Sequence, residues 1–242
     1  MRSPKLSVVI PCYNEEKRLV QGFSHFYNFL KSQNYSWEII LVNDGSVDKT
    51  SQIMKNLVKS KKEVKIISYQ KNQGKGYAIV QGILQANGKY ILFSDIDHSV
   101  PIETIANFFN QFEKGFKVVI GSRRIKGAKI LIHQNPLREF LGRGFTVLVN
   151  IAVGFRIHDA TCGFKAFENK IAKKIFAKIN VYDWAFDAEI LFLCKKYNLK
   201  IAQVPVTWSD VKGSKVSLKK DIVGSLMGLF KIRLNDLTNK YT

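Results

Sequence analysis

The sequence predicts a doubly wound α/β domain built on a mostly parallel sheet. Three observations carry that reading. Short apolar runs alternate with longer segments of helical periodicity through the first half of the chain. Several of those runs end in polar clusters of Asn, Asp, Gly and Ser, the residues of turns. Hydrophobic residues at 46% and aromatics at 12% of 242 residues supply a sizeable core and argue against disorder.

Leu6–Pro11 (LSVVIP) reads as a buried strand, and 15–33 as a helix with Leu19, Phe23, Phe26, Tyr27 and Leu30 on one face. Trp37–Asn43 is a second strand, 48–60 a helix, Val64–Tyr69 a third strand and 75–87 another helix. Tyr90-Ile91-Leu92-Phe93 is a fourth strand. Pro101 suits the first position of a helix that buries Ile102, Ile105, Phe108, Phe109 and Phe112, ahead of a strand over Phe116–Gly121. Pro136 opens a helix with Arg138 and Arg143 in its first turns and an apolar remainder. That remainder is short and interrupted by Asn150, which leaves a core helix or a surface dipping into lipid. Residues 183–196 form a helix, Leu199–Val206 a strand, and Leu218–Leu237 a basic amphipathic helix. No internal repeat, low-complexity tract or linker interrupts the chain.

The net charge of +19 calls for an anionic partner: nucleic acid, an acidic membrane surface or a phosphorylated substrate. No run of 18 apolar residues occurs, so no helix is expected to span a bilayer. The chain enters a strand within a few residues of Met1, leaving no room for a signal peptide. Cys12, Cys162 and Cys194 read as reduced thiols, and the four histidines lack metal-ligand spacing.

Three strand ends carry the chemistry. They are Pro11-Cys12-Tyr13-Asn14-Glu15-Glu16, Asn43-Asp44-Gly45-Ser46 and Ser94-Asp95-Ile96-Asp97. In an open α/β sheet these meet along the edge where ligands bind. Asp95 and Asp97 offer two hard oxygen ligands to a divalent cation with positions left for diphosphate oxygens. Asp44 and Glu15 are placed to accept from a base imide or a ribose hydroxyl, and Tyr13 offers a ring face. Asn72-Gln73-Gly74-Lys75-Gly76 lacks the spacing of a Walker A loop, and no Rossmann fingerprint follows the first strand.

The combination P-x-Y-N-E (11–15), N-D-G-S (43–46) and D-x-D (95–97) resembles family 2 glycosyltransferases of the GT-A fold over roughly the first 125 residues. The second half resembles the polyprenyl-phosphate branch, in which dolichyl-phosphate β-glucosyltransferases and dolichyl-phosphate mannose synthases are found. The residues that carry this are Leu137–Phe145, Asp159-x-x-Cys162-Gly163-Phe164-Lys165, Phe186-Asp187-x-Glu189, Val204-Pro205-Val206-x-Trp208 and Gly213–Val216. Many mannose synthases have a Gln ligand two residues after the second Asp. Ser99 stands there, which fits the glucosyl branch better.

The resemblance implies a GT-A domain over 1–215, with a nucleotide-sugar half (1–125) and an acceptor half (126–215), followed by an amphipathic helix over 216–242. It implies Mg²⁺ or Mn²⁺ on Asp95 and Asp97, and a nucleotide sugar held by Pro11, Tyr13 and Glu15, by Val42 and Asp44, and by Ser94, Asp95, Ile96 and Lys215. UDP-glucose is the expected donor, with GDP-mannose the alternative, and a polyprenyl or dolichyl phosphate the acceptor. That phosphate is already ionised near neutral pH, with a second pKa of about 6, and needs no general base. It needs cations: Arg123 and Arg138 are assigned catalytic roles, with Arg138, Arg143 and Lys212 on the acceptor phosphate. Asp187 and Glu189 are expected to orient Lys or Arg near the site. The enzyme is expected on the cytoplasmic face of an anionic membrane, peripherally attached.

Two other classes are compatible with the charge and the strand pattern. A nucleic-acid-binding protein would explain +19, but no helix-turn-helix, zinc finger or RNP signature occurs. A sugar-1-phosphate nucleotidylyltransferase would show a Gly-rich loop after the first strand, where Pro11–Glu15 stands instead.

Overall fold

A computed structural model describes residues 3–154, 156–211 and 218–241. Strands β1 (Leu6–Cys12), β2 (Trp37–Asp44) and β3 (Val64–Tyr69) alternate with helices α1 (Leu19–Lys31), α2 (Thr50–Val58) and α3 (Lys75–Gln85). β4 (Tyr90–Phe93), α4 (Ile105–Glu113) and β5 (Val118–Ser122) complete the first half. The second half adds β6 (Lys129–Ile132), α5 (Pro136–Val153), β7 (Lys165–Glu168), α6 (Asn169–Phe176), α7 (Phe186–Lys196), β8 (Ile201–Pro205), β9 (Thr207–Ser209) and α8 (Leu218–Leu237).

Seven strands form one sheet in the order β3-β2-β1-β4-β7-β5-β8, and β6 pairs with β9 beside it. All neighbours in the large sheet run parallel except β7, which is antiparallel to both β4 and β5. The expected mostly parallel sheet is therefore present. Strands β7 and β8, from the second half, are built into the same sheet as the first.

Successive strand residues point to opposite faces, and both faces are covered. Val9, Ile40, Phe93 and Val118 pack with Ile79 and Ile83 of α3, Phe176 of α6, Leu191 of α7 and Leu229 of α8. Val8, Ile39, Leu92 and Val119 pack with Phe23, Phe26 and Leu30 of α1, Met54 of α2 and Phe108 of α4. Burying each such side chain contributes about 1.5–3 kcal/mol, which explains why residues with this spacing specify a two-faced sheet.

Two boundaries differ from expectation. The helix expected from residue 15 begins at Leu19, because Asn14 is left-handed (φ 51°) and Glu15 O closes a turn on Arg18 N at 3.0 Å. Pro101 has extended backbone (ψ 136°), so it precedes a 3₁₀ turn over Ile102–Thr104 and is not the first residue of a helix. The three cysteines are free and buried.

Candidate active site

The carboxyl ends of β1, β2 and β4 open on one cleft of about 480 Å³. Its walls include Tyr13 and Glu15 from the first turn, Asp44 from the second, and Asp95, Ile96 and Asp97 from the third. Arg123 and Arg138 line it from the opposite side. The cleft thus joins both halves of the chain.

Asp44 is buried, and its carboxylate accepts from the amides of Gln73 (2.8 Å) and Gly74 (3.1 Å) and from the Asn72 side chain (2.9 Å). It therefore holds the loop that leads into α3 as well as facing the cleft. Glu15 is held bidentately by Arg18 at 2.7 and 2.8 Å. Val42 and Ser94 do not reach the cleft walls. Val42 is fully buried in the core under α3, and Ser94 is buried at the end of β4. Pro11 lines the cleft, while Lys212 and Lys215 lie outside the described residues.

Asp95 and Asp97 stand on the turn after β4. Lys75 Nζ lies 2.6 Å from Asp95, and the Ser99 amide donates to Asp97 Oδ1 at 3.0 Å. Burial, reinforced by the negative charge of Asp95, pushes the Asp97 carboxyl above its ordinary value. Lys75 is moved the other way from what burial alone would do: Asp95 outweighs desolvation and holds the ammonium above its usual pKa. Gly163 makes this arrangement possible, since a Cβ there would lie 2.3 Å from Asp95 Oδ2.

Arg123 is fixed. Its Nε and Nη2 donate to Asp159 at 2.6 and 2.8 Å, Nη2 also reaches Thr161 Oγ1 at 3.0 Å, and the guanidinium lies 5.3 Å from the Trp208 ring centroid. Burial opposes both charges, but the paired hydrogen bonds win: Arg123 is raised and Asp159 is held well below the usual carboxylate range. Arg138 comes from the first turn of α5, which Asn135 caps by accepting from Leu137 N at 2.9 Å. Arg143, expected beside Arg138, faces instead an adjoining hollow of about 240 Å³ shared with Arg123, Arg124 and Trp208. Five residues along α5 turn the two arginines roughly 140° apart around the helix axis and take them to different recesses.

Residues 7–176 match the family described as Glycosyl transferase family 2. This chain belongs to glycosyl transferase family 2. It is 35% identical to the dolichyl-phosphate beta-glucosyltransferase of Saccharomyces cerevisiae, over 98% of this chain and 76% of that one. The enzyme of the same name from Dictyostelium discoideum is 33% identical over 94% of this chain and 77% of its own. The fold is similar to that of glucosyl-3-phosphoglycerate synthase from Mycobacterium tuberculosis, solved in complex with Mn²⁺, UDP-glucose and phosphoglyceric acid. That likeness has a TM-score of 0.64 at 16% identity and covers 95% of this chain and 79% of that one.

In this family 2 glycosyltransferase the donor set at Asp95 and Asp97 fits a divalent cation: the carboxylate oxygens are hard and the two groups stand close enough to repel each other, although Lys75 already pairs with Asp95. Among the described residues no cluster of three or more His, Cys, Asp or Glu forms a closed metal cage. Two carboxylates would thus hold the ion and leave its other positions to diphosphate oxygens and water. Lys75 is the residue that sequence reasoning passed over. Its segment lacks the Walker spacing, and the signal it does carry is a Lys that opens a helix beside a strand end.

Asp187 behaves as expected, pairing with buried Lys165 at 2.5 Å. Glu189 does not orient a Lys or Arg. Its carboxylate accepts from the Asn180 and Val181 amides and from the Tyr241 hydroxyl, behind the cleft wall.

Proposed function

We propose that this glycosyltransferase moves glucose from a nucleotide diphosphate sugar to a dolichyl-type phosphate, inverting the anomeric carbon to give a β-linked lipid phosphosugar. The observation that carries the reading is one cleft lined by a carboxylate pair and by two arginines, Arg123 at the end of β5 and Arg138 from the second half of the chain. The similar dolichyl-phosphate beta-glucosyltransferases support glucose and dolichyl phosphate as substrates.

A cation on Asp95 and Asp97 would neutralise charge growing on the leaving diphosphate. The rest falls to the protein. Asp44, which holds the Asn72–Gly74 loop, positions the nucleotide. Arg138 draws the acceptor phosphate into the cleft, and Arg123, locked by Asp159, presents a pre-oriented charge where two phosphate groups must approach. An acceptor oxygen then attacks the anomeric carbon as its bond to the diphosphate breaks. No proton has to be removed, because the acceptor is already an anion.

We also assign the enzyme to an anionic membrane surface, at the cytoplasmic face. No helix among the described residues is long and apolar enough to cross a membrane. The outer faces of α5 and α8 nevertheless expose Phe140, Val147 and Ile151, and Leu226, Phe230 and Leu237. With +19 overall, that combination suits an interface carrying anionic lipid.

Incubation with labelled UDP-glucose or GDP-mannose, Mn²⁺ and dolichyl phosphate, followed by organic extraction, tests the reading. Label from UDP-glucose is expected in the lipid phase, and its loss with Asp97→Ala in a protein that melts normally. Label only from GDP-mannose, or from neither donor, overturns it.

A further inference from the structure

Glu189 and Tyr241 take no part in the cleft, yet both are buried and hold each other. Tyr241 also packs on Phe192 of α7, with ring centroids 5.6 Å apart. The amides that Glu189 accepts, from Asn180 (3.0 Å) and Val181 (2.8 Å), begin the segment whose Tyr182, Asp183 and Trp184 line the cleft. Helix α8 presses on that segment from behind. A Cβ at Gly228 would lie 2.4 Å from Ala185 Cβ and 3.1 Å from Asp183 Oδ1, and Lys231 Nζ donates to Asn180 O at 3.1 Å. On the cleft side, Tyr182 O accepts from the Gly76 amide at 3.1 Å. Gly76 belongs to the first turn of α3, which follows the loop held by Asp44 and presents Lys75 to Asp95.

We infer that Tyr241 and helix α8 are positioning elements for the donor site. By fixing residues 180–184 against the start of α3 they set nucleotide affinity without touching the nucleotide. The inference rests on the reading of the cleft as a nucleotide-sugar site. Its physical basis is that hydrogen bonds and close packing link the end of the chain to Asp95 with no gap. Deleting any link lets the segment relax away from α3, and the N-terminal amides of α3 lose the backing that aims them.

Tyr241→Phe removes one hydroxyl and keeps the ring. Gly228→Leu wedges α8 away from Ala185. Asp236→Asn, which breaks the surface pair with Lys196 and leaves the Tyr241–Glu189 hydrogen bond in place, controls for general weakening of α8. Each full-length protein is compared by amide exchange at Val181 and Gly76 and by UDP titration in the presence of Mn²⁺. Tyr241→Phe and Gly228→Leu should speed exchange at both amides and weaken UDP binding about two- to thirty-fold, the range for contacts that couple through packing. Donor KM should rise with little change in acceptor KM, and Asp236→Asn should match the wild type. Unchanged exchange at Gly76 in a folded Tyr241→Phe protein overturns the inference, as does faster exchange with unaltered UDP affinity. A wild type that binds neither UDP nor GDP instead overturns the reading of the cleft, and the exchange data then stand apart from it. Should Gly228→Leu fail to fold, Tyr241→Phe alone decides.

Discussion

Lys75 and Asp95 meet on the cleft wall with Nζ 2.6 Å from the carboxylate, in the space beside Asp97 where a divalent cation would add its charge. If Asp95 holds a metal ion, the ammonium and that ion would compete for one carboxylate. Lys75→Met should bind Mn²⁺ about tenfold more tightly in the absence of nucleotide, since a nearby like charge is removed. Calorimetry with Mn²⁺ alone reads this directly. Weaker binding would mean that Lys75 organises the carboxylates for the metal and does not rival it.

The Arg123–Asp159 pair should matter to stability before it matters to chemistry. Asp159→Asn leaves a largely buried guanidinium without its counter-charge, at a cost of about 3–5 kcal/mol. The native state holds the Asp159 carboxyl below its ordinary value, so the folded protein takes up that proton at lower pH than the unfolded chain does. The pair's contribution is thus complete above about pH 4 and is lost only as the pH falls further. Urea unfolding of wild type and variant from pH 7 down to pH 3 should show a constant gap that narrows only at the acid end. A gap that already narrows between pH 7 and 5 would contradict this.

Arg138 is expected to serve the acceptor. Losing a charge-assisted contact of about 1.5–3 kcal/mol should raise the KM for dolichyl phosphate roughly ten- to more than hundred-fold in Arg138→Ala. UDP affinity should hold, and Arg138→Lys should recover only part of the loss because an ammonium cannot fork onto phosphate. Lipid-acceptor kinetics run beside UDP titration separate these. Loss of UDP affinity with an unchanged acceptor KM would put Arg138 on the donor side.

Attachment to vesicles should depend on both charge and the apolar faces. The protein should sediment with anionic vesicles at low salt and release at high salt, where screening shortens the reach of surface charge. Phe140→Ser with Ile151→Ser should weaken binding at every salt concentration. Equal, salt-independent binding to neutral vesicles would point to apolar insertion alone.

Much of the architecture was legible because local pattern and fold agree. The apolar runs at Leu6, Trp37 and Tyr90 are strands buried on both faces, the run at Val64 is the half-exposed edge strand, and the helical periods between them are α1 to α3. The D-x-D and N-D-G-S turns were found because polar residues at strand ends have no role in a core. What escaped was set by contacts distant in sequence. Nothing local to Lys165–Glu168 says that this strand enters the sheet backwards between β4 and β5. Val42 continues an apolar run and is core, although it lies two residues from Asp44. Glu189 resembled a site carboxylate until its partners proved to be backbone amides and Tyr241, which is 52 residues away.

The antiparallel entry of β7 has a consequence for how such a protein can change over time. The chain leaves the sheet after Ser122 and returns at Lys165, and the two ends of that detour are tied together by Gly121 N to Phe164 O at 2.9 Å and by Arg123 on Asp159. The detour carries β6 and α5, hence Arg138, Arg143 and the apolar face of α5. Only a stripe of α5, including Val149 and Val153, is anchored in the core. Because the neck is already closed, doubling the length of what it carries costs only about 0.6 kcal/mol of chain entropy. The segment that carries Arg138 can be lengthened, trimmed or exchanged while the strands that lead to Asp44, Asp95 and Asp97 keep their register. If that segment receives the acceptor, a change of acceptor would require editing one tethered cassette and would leave the donor strands as they are.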